Sequence, residues 1–288
     1  MMLFLCVADR SWAIILFHPP DDEAIQIYFE GQEPPTSVIV ETEDREFHYM
    51  DTLKEASTVI VFVHGSPGGW DAFMPYFKAP ELNDHFRLIS VDRPGFGKSS
   101  FGRAEPSLQK QAAMLSNVFK TIDPEQNVIL VGHSLGGPVI AQMAIDYPDR
   151  VGGLLLIAAS MNPKLEKDAW YQSPADWLLV RWMVPDAWRV CNEEILPLRE
   201  ELTLQQSHLQ DISLPVSVIQ GMDDRLVPAA NADYIEAKFT HADVEIKRYP
   251  GLNHFIPFSR RDLVIDAILE LVERVEKKSA ENEIRHLQ

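Results

Sequence analysis

Val128-Ile129-Leu130-Val131-Gly132-His133-Ser134-Leu135-Gly136-Gly137 is the stretch on which the fold turns. Four aliphatic residues with no polar interruption predict a short strand buried on both faces. The run stops at Gly132, and a helical pattern begins at Leu135 and continues to residue 147. Passing from strand to helix within a few residues requires a sharp turn, and glycines two before and two after Ser134 leave room for it. Such a turn strains the serine backbone and pushes the hydroxyl out at the carboxyl edge of the sheet. The helix N-terminus beneath it favours developing negative charge. Ser134 is therefore the candidate nucleophile.

Working outward, the same kind of apolar run recurs at 58–63, 87–92, 151–159 and 215–220, with a more mixed and so more peripheral one at 244–249. Helical periodicity falls between these runs, at 106–122, 135–147, 228–239 and 260–278. The last of these carries Val264, Ile268, Leu271, Val272 and Val275 on one face. Alternating strands and helices imply a parallel sheet covered on both sides. Residues 161–212 break the rhythm. They show no clear strand and hold four of the six tryptophans, Trp170, Trp177, Trp182 and Trp188, which predicts a helical insertion between two strands. Residues 279–288 are polar and are expected to fray.

Each loop that follows a strand can be read for chemistry. A serine hydroxyl needs a base. His254 follows the last strand, at the same sheet edge as Ser134. His133 belongs to the turn and is expected to point elsewhere, while His64 ends a strand and is expected to brace its loop. The base needs an orienting carboxylate, and Asp223-Asp224 follow the 215–220 strand. Asp224 is the first choice, with Asp223 in reserve. Acyl transfer also needs two N–H donors aimed at an oxyanion. The backbone N–H of Leu135 is one, and that of Ser66, in His64-Gly65-Ser66-Pro67-Gly68-Gly69, is the other. Trp70 and Phe96, on loops of the same edge, are candidate pocket walls, as are Trp170, Trp177 and Trp182 in the insertion. Gly97-Lys98-Ser99 looks like the end of a phosphate-binding loop, but Asp92 stands where that motif wants glycine. No cluster has metal-ligand spacing.

Composition narrows the function classes. The 288 residues hold 26 Lys+Arg against 43 Asp+Glu, a net charge of −17, which argues against nucleic acid as a partner. Two cysteines build no disulfide framework. No stretch of 18 apolar residues occurs, so no ordinary membrane-spanning helix is expected. Residues 1–17 are mostly apolar, interrupted by Asp9 and Arg10. They read either as a segment packed on the domain or as an export or membrane-anchor remnant. A cytoplasmic location is favoured, and membrane association would come only through this segment. Residues 21–55 hold eleven acids and two bases, read as a solvated outer face.

His64-Gly65, Asp92 to Ser99, Gly132 to Gly137, Gly221 to Pro228 and Gly251 to His254 together resemble the α/β-hydrolases, in that family's order and over roughly residues 36–275. The resemblance implies an eight-stranded, mostly parallel sheet flanked by helices, with its second strand antiparallel and an early strand at 45–50. It also implies no cofactor. The corresponding organisation is an N-terminal segment (1–35), a core (36–160 and 213–278), a helical cap (161–212) over the active site, and a tail (279–288). Relatives with an aspartate nucleophile are set aside by Ser134. Relatives with the acid one strand earlier are set aside because 159–162 hold no carboxylate. His64 to Gly69 is similar to the corresponding loop of proline iminopeptidases, with Ser66 as a departure. The expectation is a serine hydrolase acting on a small to medium apolar carboxylic ester, a small-molecule acyl substrate. Amide or aminopeptidase cleavage, C–C hydrolysis and cofactor-free perhydrolysis on the same triad are the alternatives, with a non-catalytic ligand-binding protein as the alternative of another class.

Overall fold

A computed structural model describes residues 20–166 and 185–286. Its centre is β3 (Thr58–Val63), six consecutive buried residues. Side chains alternate across a strand. Val59, Val61 and Val63 therefore enter one apolar cluster, with Leu115 and Val139, while Ile60 and Phe62 enter the other, with Phe73, Tyr76 and Ile268. Full burial of a side chain the size of Phe62 stabilises by roughly 2–3 kcal/mol over exposure. A sheet fed from both faces explains why its strands read as unbroken apolar runs.

The sheet has eight strands in the order β1-β2-β4-β3-β5-β6-β7-β8. The others are β1 (Thr36–Glu41), β2 (Glu46–Asp51), β4 (Arg87–Val91), β5 (Asn127–His133), β6 (Gly153–Ile157), β7 (Pro215–Gly221) and β8 (Asp243–Tyr249). β2 is antiparallel to both its neighbours, and β3 to β8 are mutually parallel. From β3 the chain moves to β4 on one side and then to β5 on the other. That reversal opens a crevice at the carboxyl ends of β3 and β5, where ligands of open α/β sheets bind.

Several expectations are corrected. The acidic stretch 21–55 is not only a solvated face. Helix Asp22–Tyr28 buries Ile25, and Asp51 on β2 is fully buried in an ion pair with Arg87 on β4 (2.6 Å). The pattern expected to form one helix over 106–122 divides into an α-helix, Leu108–Leu115, and a 3-10 turn, Ser116–Thr121. The tail does not fray at 279, because the last helix runs from Arg261 to His286. Residues 279–286 contain Ala280, Glu281 and Glu283 and neither glycine nor proline, so propensity lets the helix continue.

Within 161–212 the described helices are Asp186–Ile195 and Leu198–Gln205, followed by the short 3-10 turn Leu209–Asp211, while 161–166 are turn and irregular chain. Trp170, Trp177 and Trp182 lie outside the described residues, as does the apolar segment 1–17. Among the described residues no helix is long and apolar enough to cross a membrane.

Candidate active site

Ser134 follows β5 directly with φ +55°, in the left-handed region that costs a non-glycine residue about 1–2 kcal/mol. Three backbone bonds hold it there. Its N–H donates to Ile157 O (3.0 Å), and its C=O accepts from Gly137 (3.0 Å) and Ser160 (3.2 Å). The neighbouring glycines are required by close approach. A Cβ on Gly136 would stand 2.3 Å from Val63 O, and one on Gly132 would stand 2.6 Å from Gly136 O. These contacts let helix Gly136–Asp146 start immediately behind the serine, against the end of β3.

The loops after β7 and β8 meet the same edge. A Cβ on Gly221 would lie 2.5 Å from Leu252 O, so this glycine lets the loop after β7 reach the loop after β8. Asp224 Oδ2 accepts from His254 Nδ1 at 2.8 Å, with both side chains buried. Asp224 Oδ1 accepts from the N–H groups of Leu226 and Val227, each at 2.8 Å. Nδ1 therefore carries the proton and Nε2 is left as an acceptor. Asp223 is exposed, so the carboxylate that meets the imidazole is Asp224.

His133 does not point elsewhere. Its ring lies 4.7 Å from that of His254, centroid to centroid, and its Nε2 donates to His254 O at 3.1 Å. Burial, then the His254 charge, push its pKa down to about 3, so it stays neutral. It ties the loop of His254 to the turn that carries Ser134. Gly65 closes the arrangement, since a Cβ there would stand 2.9 Å from Ser134 Cβ and 3.2 Å from His133 Nδ1. Among the described residues, neither the Ser66 nor the Leu135 N–H donates to another protein group.

Trp70 and Phe96 are both 1% exposed and engaged in packing. Trp70 meets Phe77 edge-on, while Phe96 stands edge-on to His64 and beneath the Arg93 guanidinium. Both are packed within the fold. His64 braces its loop as expected. Burial, then the Arg93 charge, hold it neutral, with Nδ1 donating to Gly65 O (2.6 Å) and Nε2 accepting from the Arg93 N–H (3.0 Å). Sequence reasoning missed His133, Arg93 and Glu194. His133 and Arg93 had a signal in their places at or just beyond strand ends, and Glu194 had none.

A hydrogen-bonded Ser-His-Asp chain sits at the sheet's antiparallel end. Ser37 Oγ is 2.9 Å from His48 Nε2, and His48 Nδ1 is 2.6 Å from Asp92 Oδ2. Ser37 lies within regular edge strand β1, with no strained turn and no helix N-terminus behind it. Asp92 is instead occupied in holding loops, accepting the N–H groups of Trp70 (2.8 Å) and Lys98 (2.9 Å).

Asp71 beside it is buried, and burial, then the Asp92 charge, push its pKa from 3.8 up to about 7. Between these values the folded chain holds a proton that the unfolded chain releases. The group's contribution is thus present at low pH and lost as pH rises through about 7. Asp71→Asn is expected to gain on wild type by on the order of 3 kcal/mol between pH 5 and pH 8. Urea unfolding across that range checks it, and equal slopes for the two proteins would refute it.

Residues 58–182 match the family described as the alpha/beta hydrolase fold. The chain is 31% identical over 187 residues to a 1-acylglycerol-3-phosphate O-acyltransferase of Arabidopsis thaliana, covering 61% of this chain and 42% of that protein. It is 34% identical over 112 residues to a pimeloyl-(acyl-carrier protein) methyl ester esterase of Salmonella heidelberg, covering 39% and 41% respectively. A haloalkane dehalogenase from Agrobacterium tumefaciens superposes with a TM-score of 0.69 at 17% identity, over 83% of this chain and 97% of that one. Strand order, the elbow at the switch point and these matches show that the chain has the α/β-hydrolase fold. It spans about two-fifths of the length of the curated relatives it matches.

Proposed function

We propose that the protein is a serine hydrolase that cleaves a small to medium apolar carboxylic ester through an acyl-enzyme. The observation that carries this reading is the 2.8 Å bond between Asp224 and His254 at the sheet edge where Ser134 sits on its strained elbow. His254 Nε2 takes the Ser134 proton as Oγ attacks the ester carbonyl. Asp224 fixes the imidazole tautomer and stabilises the imidazolium. The N–H groups of Ser66 and Leu135 hold the oxyanion, and each such donor is typically worth roughly 10²–10³ in rate. His254 then protonates the leaving alkoxide, and water attacks the acyl-enzyme by the same steps in reverse roles.

Apolar preference is supported by Met222, Leu226 and Phe255, exposed on the acid and base loops beside the site. The helices of the insertion 161–212 act in this reading as a cap that selects the acyl group. The esterase and the acyltransferase among the relatives both have an acyl group in their names.

A panel of p-nitrophenyl esters, acetate through dodecanoate, set against p-nitroanilides tests the assignment. Ester turnover with an optimum at a medium chain is expected. Cleavage of anilides alone would overturn the ester assignment, and turnover of neither would overturn the hydrolase reading.

A further inference from the structure

Arg93 is fully buried one residue beyond Asp92, and all five of its guanidinium donors are engaged. Nε donates to His64 O (2.9 Å) and Nη2 to Gly65 O (3.0 Å). Nη1 reaches Gln111 Oε1 (2.9 Å) and Glu194 Oε1 (3.0 Å), and Nη2 also reaches Glu194 Oε2 (3.1 Å). Glu194 is 1% exposed and comes from helix Asp186–Ile195 of the insertion. Its Oε2 also accepts from Ser66 Oγ (3.0 Å).

Gly65 O and the Ser66 N–H belong to one peptide unit. A trans peptide is planar, with C=O and N–H pointing in opposite directions. A guanidinium that fixes the Gly65 carbonyl therefore fixes the direction of the Ser66 N–H, away from Arg93. The cation also polarises that peptide and strengthens its N–H as a donor. Burial makes an unpaired guanidinium costly, and Glu194 supplies the bidentate counter-charge that permits it.

We infer that Arg93 and Glu194 are positioning residues of the oxyanion loop, through which the inserted helix Asp186–Ile195 sets the aim of the Ser66 N–H. This rests on the hydrolase reading above. The insertion is then part of the catalytic apparatus as well as a cover, since the counter-charge is present only when that helix is seated.

The decisive variant is the double Arg93→Met/Glu194→Met. It removes both charges together, a change that buried ion pairs often tolerate. In protein shown folded by a cooperative melt, kcat and kcat/KM for the best p-nitrophenyl ester are expected to fall together, about ten- to a hundredfold. That is less than the roughly 10²–10³ for outright loss of an oxyanion donor. The acidic limb of the pH–rate profile stays where wild type has it, because the Asp224–His254 pair is untouched. Glu194→Gln, which keeps the shape and loses the charge, shows the same pattern to a smaller degree. It serves as the test should the double variant not fold.

Wild-type kcat in either folded variant overturns the inference. So does a loss that only tracks the folded fraction, or one accompanied by a displaced pH limb. A wild-type protein that turns over neither esters nor anilides overturns the hydrolase reading first and this inference with it, and one that cleaves anilides alone is put to the same test on its best anilide.

Discussion

Ser134→Ala is expected to abolish covalent capture by a fluorophosphonate probe and to lower ester turnover by about 10⁶, the scale on which a serine nucleophile is lost from a working triad. The substitution removes one oxygen from a position whose backbone is held by Ile157, Gly137 and Ser160, so the elbow survives it. Residual turnover above the uncatalysed rate is expected from the two N–H donors and from binding alone. Ser37→Ala is the informative control, because it deletes the hydroxyl of the Ser37-His48-Asp92 chain. Ser37 is hydrogen-bonded to a His–Asp pair but lies in an extended edge strand, without the turn that would present it to a carbonyl. Full labelling of Ser37→Ala and none of Ser134→Ala is the expected pair of results. Labelling that persists in Ser134→Ala would remove the nucleophile assignment.

That contrast shows what was legible in the sequence. A buried His–Asp hydrogen bond occurs twice among the described residues, but only one stands at the sheet edge where a serine sits between a buried strand and a helix, and that context is readable as pattern. β3 to β7 were likewise visible as apolar runs, since strands buried on both faces need no alternation. β1 was not: its residues alternate between exposed and half-buried, inside an acidic stretch. The 3-10 turn Trp70–Lys78 left no periodic trace, because a tight turn interrupted by Pro75 does not repeat at 3.6 residues.

Within the site, Ser134, Asp224 and His254 could be named because each follows a strand. His133 could not, since which way a turn residue points depends on the loop packed against it. The pairing of Arg93 with Glu194 was less accessible still. The two lie 101 positions apart, and a buried ion pair has no local signature.

Asp224→Asn is expected to lower kcat by about 10⁴ without unfolding the protein, and the geometry explains why an isostere is so damaging. Asp224 Oδ1 accepts two backbone N–H groups, from Leu226 and Val227. An asparagine must keep its carbonyl oxygen there, since an amide NH₂ facing two donors would leave all of them unpaired. Its NH₂ is then forced to face His254 Nδ1. Nδ1 must give up its proton and become the acceptor, and the proton moves to Nε2, the atom that should receive the Ser134 hydrogen. The base is thus held in the wrong tautomer by the bonds that keep the loop folded. Asp223→Asn makes no such demand. Its side chain is exposed, and the bond its residue contributes is the backbone N–H to Leu252 O (2.9 Å), so kcat should change less than about twofold. Steady-state rates of the two variants on one ester decide the matter. A severe loss at Asp223 with a mild one at Asp224 would mean that the catalytic state re-pairs the acid loop, and that the bond at 2.8 Å belongs to the resting protein alone.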